Sequence, residues 1–123
     1  MGSKLVLLVD DDAVVRRATR RLLERQGYTV REGTNGKEGV DQFAAAANEI
    51  AFVILDVTMP VMNGPEAFGH IRKLNPAIPV IVASGLDAGE TAAEFPGPGV
   101  TFLPKPFKLE QLLQKMREIL PSD

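Results

Sequence analysis

The chain has 123 residues, of which 45% are hydrophobic and 24% are charged, and its formal net charge is −2. This length is typical of a single domain, and the hydrophobic content suits a packed core, which excludes an intrinsically disordered chain. The charge balance is not that of a nucleic-acid-binding protein, and no apolar run approaches the roughly 18 residues of a membrane span. The absence of cysteine agrees with a cytoplasmic location.

We assign residues 4–120 to this domain and interpret Met1-Gly2-Ser3 as a remnant of recombinant expression. The first apolar run, Leu5–Val9, predicts a strand that stops at three aspartates. A helix follows, because apolar residues recur at helical spacing: Val14, Val15, Ala18 and Leu22. Gly27 predicts its end, and the less apolar residues 28–32 predict an edge strand.

Two capping pairs, Asn35 with Glu38 and Asn63 with Glu66, predict the starts of the second and third helices. Strands are predicted at residues 50–55, 79–83 and 100–103. A short or irregular fourth helix is predicted at 88–95, because the Pro-Gly-rich segment 96–99 stops it. The last helix is predicted from its apolar face: Leu109, Leu112, Leu113, Met116, Ile119 and Leu120.

Five strands alternating with five helices predict an α/β, doubly wound (βα)5 fold, with a parallel sheet covered by helices on both faces. Ligands of such sheets bind at the carboxyl ends of the strands. We therefore expect the residues that follow four of the strands to converge: Asp10, Asp11, Asp12, Asp56, Ser84 and Lys105.

These residue types indicate phosphoryl chemistry. Clustered carboxylates need a compensating cation, and an all-oxygen ligand set suits Mg²⁺. A carboxylate such as Asp56 can act as a nucleophile, while Lys105 and Ser84 can neutralise and hydrogen-bond a transferring phosphoryl group. Simpler roles also exist for single residues, because Asp12 is a good helix cap and a serine after a strand is usually a turn residue.

The chain resembles the response-regulator receiver domain over nearly its whole length, about residues 4–120. Five motifs carry the resemblance in order: Val9-Asp10-Asp11-Asp12, Leu55-Asp56-Val57-Thr58-Met59-Pro60, Met62-Asn63-Gly64, Val82-Ala83-Ser84-Gly85 and Leu103-Pro104-Lys105-Pro106-Phe107. The resemblance implies a flavodoxin-like sandwich with strand order 2-1-3-4-5. It also implies a two-component signalling switch that takes a phosphoryl group from a phosphohistidine.

The resemblance also implies residue roles. Asp56 would accept the phosphoryl group, and Ser84 and Lys105 would hold it. Mg²⁺ or Mn²⁺ would bind to the carboxylates of Asp11 and Asp56 and to the backbone carbonyl of Thr58, and Asp10 would contribute directly or through water. Ser84 and Phe102 would be switch residues, Thr58 and Leu86 would tune the rate at which the phosphate is lost, and the Lys105-Pro106 peptide is often cis in this family.

The implied partner is a histidine kinase or a histidine phosphotransfer protein, and we expect no direct contact with nucleic acid or membrane. The domain itself would not be a metabolic enzyme. Its sequence looks especially like receivers at the C-terminus of hybrid sensor kinases, and we expect a monomer or a weak homodimer. The arginines of the first helix fit either a solvated face or a partner-docking surface, and His70 is expected at or near the surface.

Three other readings are less favoured. A haloacid-dehalogenase-type phosphatase would carry an acid where Thr58 stands. A flavin-binding domain would repel its phosphate from the aspartates that follow the first strand. A pure interaction module would not need the complete set of Asp56, Ser84 and Lys105.

Overall fold

The structure, a computed structural model, describes residues 4–85 and 92–120. Its five strands are β1 Leu5–Val9, β2 Thr29–Gly33, β3 Ile50–Asp56, β4 Val80–Ser84 and β5 Val100–Pro104. They form one sheet in the order β2-β1-β3-β4-β5, and all neighbouring pairs are parallel. The predicted fold class and strand order are therefore confirmed, and β2 is an edge strand as its mixed composition indicates.

Four helices lie within the described residues: α1 Ala13–Arg25, α2 Gly36–Ala46, α3 Gly64–Leu74 and α4 Leu109–Ile119. Both predicted capping asparagines accept a backbone hydrogen bond, Asn35 from Glu38 and Asn63 from Glu66. Half of the helix predicted at 88–95, residues 88–91, lies outside the described residues, and the described half has a helical residue at Ala92 followed by a turn and a bend at 93–95. None of the described helices is long and apolar enough to cross a membrane.

The central strands β1, β3 and β4 are buried on both faces, because helices cover each face of the sheet. On β1, Leu7 and Val9 pack into the layer beneath α2 and α3, whereas Val6 and Leu8 pack into the layer beneath α1 and α4. All four are at most 1% exposed. Burial of each such side chain contributes about 1.5–3 kcal/mol to stability, so the ends of the central strands are firmly placed.

The apolar residues from which α1 was predicted lie only partly in the core. Thr19 and Leu23 are the buried residues of this helix, whereas Val14 is 78% exposed. The Thr19 hydroxyl can be buried because it donates to the carbonyl of Val15 at 2.9 Å. Leu22 packs against the core cluster that contains Leu23, whereas Val14, Val15 and Ala18 lie towards the loop that follows β5.

Candidate functional site

The predicted site residues meet at the carboxyl edge of the sheet. Asp10 follows β1, Asp56 ends the adjacent strand β3, and Lys105 follows β5. The Lys105 ammonium donates to Asp10 Oδ2 at 2.8 Å and lies 3.2 Å from Asp56 Oδ1. The Lys105 side chain therefore connects the edge strand β5 to the acids that follow β1 and end β3. The convergence expected from the strand ends is confirmed for these three residues.

Three carboxylates form a compact oxygen cluster. Asp10, Asp11 and Asp56 each offer one oxygen, and these oxygens lie within 4.8 Å of one another. Asp10 is 3% and Asp56 8% exposed, whereas Asp11 is exposed to solvent. Three carboxylates beside one ammonium leave an excess of negative charge, and hard cations such as Mg²⁺ and Mn²⁺ prefer oxygen donors of this kind. The residues present therefore fit the predicted metal.

Asp12 stands apart from that cluster. Its carboxylate accepts hydrogen bonds from the backbone N–H groups of Val14 and Val15, at 2.9 and 3.2 Å, and caps α1. Its own backbone N–H donates to Asp10 Oδ1 at 2.9 Å. Asp12 thus begins the helix and helps to fix the Asp10 carboxylate.

Burial and charge determine the ionisation of the site. Burial raises the pKa of Asp56 to about 6, while Lys105 opposes this rise and the negative charge of Asp10 adds to it. The pKa of Lys105 is raised as well, because burial lowers it but the hydrogen bond and charge of Asp10, together with Asp56, outweigh burial. The lysine therefore stays charged, and a divalent cation would favour the ionised form of Asp56.

Backbone contacts hold the loop between β3 and α3 against Asp56. The N–H of Gly64 donates to the carbonyl of Val57 at 2.8 Å. A Cβ on Gly64 would lie 2.3 Å from the carbonyl oxygen of Asp56, which is far inside van der Waals contact. Val61 takes a left-handed backbone conformation with φ 68° within the same loop. The glycine of the Met62-Asn63-Gly64 motif is therefore required for steric reasons, since only a residue without a Cβ allows the backbone to approach so closely.

The ends of β4 and β5 complete the edge. Ser84 is 6% exposed, and its carbonyl accepts the backbone N–H of Lys105 at 2.9 Å. The Lys105-Pro106 peptide is cis, as the resemblance implies. Thr58 is exposed two residues beyond Asp56, and Leu86 lies outside the described residues.

Phe102, the predicted switch aromatic, is half-buried on β5. Its ring lies 6.3 Å from that of Phe95, which in turn lies 5.2 Å from the ring of Phe68 on α3, and both contacts are edge-to-face. Such geometry is favourable for aromatic pairs. An aromatic row therefore connects β5 to α3.

Arg16 is the functional candidate that the sequence pattern did not reveal. Its side chain is 15% exposed and donates from Nε to Glu32 Oε1 at 2.9 Å. Its Nη1 donates to the backbone carbonyl of Asp10 at 2.8 Å. A solvated face describes the exposed Arg17 and Arg21 but not Arg16. The available signal was an acid in the edge strand, Glu32, opposite an arginine in the second turn of α1.

An apolar groove of about 360 Å³ lies beside the site, between α1 and the loop after β5. Its walls include the stripe displayed by α1 and the residues next to Lys105: Val14, Val15, Ala18, Thr19, Leu22, Pro106 and Phe107. His70 is exposed on α3, as expected, and is absent from this lining.

Comparison with known proteins identifies relatives of the whole domain. The family model of the response regulator receiver domain matches residues 6–117. The sensor kinase CckA of Brucella abortus is 39% identical over 120 residues, which are 97% of this chain and 13% of that kinase. The chain spans about half the length of the response regulators that it also matches.

Two solved structures illustrate the structural similarity. The CheX-CheY-BeF3-Mg²⁺ complex from Borrelia burgdorferi matches with a TM-score of 0.87 and 26% identity, over 95% of this chain and 90% of that chain. The receiver domain of the hybrid histidine kinase CckA matches with a TM-score of 0.81 and 32% identity, over 95% of this chain and 99% of that chain.

Proposed function

The chain belongs to the response regulator receiver domain family, the phosphoryl-accepting module of two-component signal transduction, and from this premise we propose that Asp56 accepts the phosphoryl group. The observation that carries the proposal is the position of Asp56. This residue ends the central strand β3, and its Oδ1 lies 3.2 Å from the Lys105 ammonium. Asp10 and Asp11 stand beside it, and Asp12 is occupied as a helix cap. The proposed domain covers residues 4–120.

The proposed reaction is a direct transfer from a phosphohistidine. A carboxylate oxygen of Asp56 attacks the phosphorus atom, and an O–P bond forms as the P–N bond breaks, leaving its electron pair on the imidazole nitrogen. The attacking group must be ionised, and a pKa of about 6 leaves most Asp56 ionised above pH 7. Lys105 and Ser84 then hold the phosphoryl oxygens of the acyl phosphate.

Mg²⁺ or Mn²⁺ is the proposed cofactor, and it supplies charge neutralisation at the oxygens of the group in transfer. Asp10, Asp11 and Asp56 would hold it, with the backbone carbonyl of Thr58 as a further donor. Two observations support this proposal. One oxygen from each of the three carboxylates lies within 4.8 Å of the others, and the related Borrelia complex contains Mg²⁺.

The phosphoryl group would act as a switch by redistributing the contacts of Lys105. This ammonium now bonds Asp10 and Asp56, and new phosphoryl charge would draw both Lys105 and Ser84 towards itself. Phe102 is the proposed reporter of that movement, because its half-buried ring connects β5 to Phe95. As a phenylalanine it would signal by packing, without a hydroxyl hydrogen bond.

The lifetime of the phosphorylated state is a separate part of the proposal. Thr58 and Leu86 are proposed to tune how readily water reaches the acyl phosphate. The exposed position of Thr58, two residues beyond Asp56, supports its role. The chemistry of the domain itself would be limited to its own phosphorylation and slow hydrolysis.

A histidine kinase or a histidine phosphotransfer protein is the proposed partner, docking on the apolar groove beside Lys105. The exposed Val14 and the lining by Pro106 and Phe107 support a protein partner, and the exposed Arg17 and Arg21 of α1 offer a charged rim. Similarity to the CckA kinase and to its receiver structure supports a hybrid-kinase parent. We further propose a cytoplasmic, monomeric or weakly dimeric domain without nucleic-acid contacts.

Phosphorylation by acetyl phosphate tests the proposal. With Mg²⁺, the intact protein is expected to gain the mass of one phosphoryl group in an acid-stable, base-labile form, and Asp56→Asn is expected to gain none. Asp12→Asn is the matched control, because asparagine caps a helix as well as aspartate does. Absence of uptake by the unaltered protein, or uptake by Asp56→Asn, would contradict the assignment. Steady turnover of an added phosphomonoester would instead indicate a phosphatase.

A further inference from the structure

Arg16 connects the acidic site to the edge of the sheet. The planar guanidinium donates from one nitrogen to Glu32 on β2 and from another to the backbone carbonyl of Asp10. Glu32 is also bonded by Arg20, which lies one helical turn further along α1. Arg16 is thus the part of this network that reaches the site.

The carbonyl that Arg16 bonds has a special position. It belongs to the peptide that joins Asp10 to Asp11, from which both proposed metal-binding side chains extend. Two further hydrogen bonds hold the same turn, from Asp10 N–H to the Gly33 carbonyl at 3.1 Å and from Asp12 N–H to Asp10 Oδ1 at 2.9 Å. The exposed carboxylate of Asp11 depends on this peptide for its direction.

We propose that Arg16 is a positioning residue of the metal site, which orients the Asp10-Asp11 peptide so that both carboxylates face the cation together with Asp56. This inference rests on the proposed function, because it takes Asp10 and Asp11 as the residues that hold Mg²⁺. Groups that orient metal ligands commonly matter almost as much as the ligands themselves.

An electrostatic role and a positioning role of Arg16 predict opposite changes in Mg²⁺ affinity when its side chain is replaced. Removal of a positive charge near a cation site strengthens cation binding by Coulomb attraction alone. It also leaves the negative charge of Glu32 compensated by Arg20 alone, which acts in the same direction. A positioning role predicts instead that Mg²⁺ binds more weakly, because the two carboxylates no longer share one favourable arrangement.

Calorimetric titration of the metal-free protein with Mg²⁺ separates these effects. Arg16→Gln is expected to raise the Mg²⁺ dissociation constant about tenfold, the lower end of the range for groups that orient metal ligands. Arg20→Gln is the matched control, because Arg20 also bonds Glu32 but has no bond to Asp10. Arg17→Gln controls for charge alone, and both controls are expected to bind Mg²⁺ as tightly as the unaltered protein or more tightly.

Equal or tighter Mg²⁺ binding by Arg16→Gln, as in the two controls, would overturn the inference. Thermal unfolding without metal identifies a variant that fails to fold, and Arg16→Lys then takes its place. Lysine keeps the charge but cannot bond Glu32 and the Asp10 carbonyl with one planar fork, so weaker binding supports the inference and unchanged binding overturns it. If the unaltered protein itself binds no Mg²⁺, the proposed metal site fails, which is a distinct result.

Discussion

The acidic half of the site, at β1 and β3, and the cationic half, at β4 and β5, are held in different ways. Backbone contacts fix the acids: Asp56 Oδ1 accepts the Val57 N–H at 2.9 Å, and Gly64 packs against the Asp56 carbonyl. Lys105 instead reaches both acids through its flexible side chain. The acids are therefore built into the fold, whereas the lysine can exchange partners without rearrangement of the backbone.

The largest expected effect breaks the acidic half through its backbone. Gly64→Ala would place a methyl group 2.3 Å from the Asp56 carbonyl oxygen and 2.8 Å from the Val57 Cα, where no flexible side chain can yield. We expect the free energy of unfolding to fall by about 3 kcal/mol, at the upper end of the usual cost of overpacking. Urea unfolding at constant pH measures this change.

Gly69→Ala is the matched control for that prediction, because Gly69 lies in the same helix with open space around its Cβ position. At an exposed position within a helix, alanine is more favourable than glycine by up to about 1 kcal/mol, so the free energy of unfolding of this variant is expected to rise. A similar response of both variants would show that the loop after β3 tolerates a side chain at position 64.

The next effect breaks the cationic half. Lys105→Met removes the ammonium that serves both Asp10 and Asp56 and leaves two buried carboxylates facing each other. Loss of one partner of a fully buried ion pair costs about 3–5 kcal/mol, and we expect about 2–3 here because the Lys105 side chain is 21% exposed. The loss is expected at pH 8 without metal, and Mg²⁺ should reverse part of it.

The pH dependence of that loss is also informative. At pH 5 most Asp56 carries a proton, since its pKa is about 6, and the repulsion that follows Lys105→Met should be smaller. Lys73→Met, at an exposed position near the end of α3, is the control for the loss of a surface charge. A loss of stability that is the same at pH 5 and pH 8 would show that Lys105 contributes packing rather than charge compensation.

The acidic half was also the easier half to predict from sequence. Strands such as β1 and β3 are buried on both faces, so they form continuous apolar runs with clear ends at Asp10 and Asp56. The topology then brings those ends together without further information. The helix starts at Asn35 and Asn63 were predictable as well, because the cap is a local interaction between residues three positions apart.

Contacts between distant elements could not be read in the same way. Arg16 resembles its neighbours Arg17 and Arg21 in sequence, and only the position of Glu32 on β2 distinguishes it. Helical spacing predicted α1 from Val14, Val15, Ala18 and Leu22, but it could not tell that Val14 lines an open groove, because spacing identifies a face of the helix and not its contacts. Strands β2 and β4 lie one residue later in the chain than predicted, and β3 and β5 end one residue later than predicted.

The smallest expected effect on stability comes from Asp56→Asn, which removes the charge of the proposed nucleophile. Folding raises the pKa of Asp56 from an ordinary value of 3.8 to about 6, chiefly through burial. The folded state thus binds this proton more tightly than the unfolded state does, so the contribution of Asp56 to stability is complete below about pH 4 and is lost as the pH rises to 6. In the metal-free protein, Asp56 therefore contributes less to stability at pH 8 than at pH 4.

Asp56→Asn removes that pH-dependent loss. A shift of this size corresponds to at most about 3 kcal/mol, and we expect Asp56→Asn to be about 1–2 kcal/mol more stable than the unaltered protein at pH 8, because relaxation around a buried charge reduces the effect. Urea unfolding between pH 4 and pH 8 in EDTA should show the gap closing as the pH falls, with Asp12→Asn following the unaltered protein. A gap of constant size would assign the gain to packing, whereas saturating Mg²⁺ should reverse the order, because only the ionised carboxylate holds the cation well.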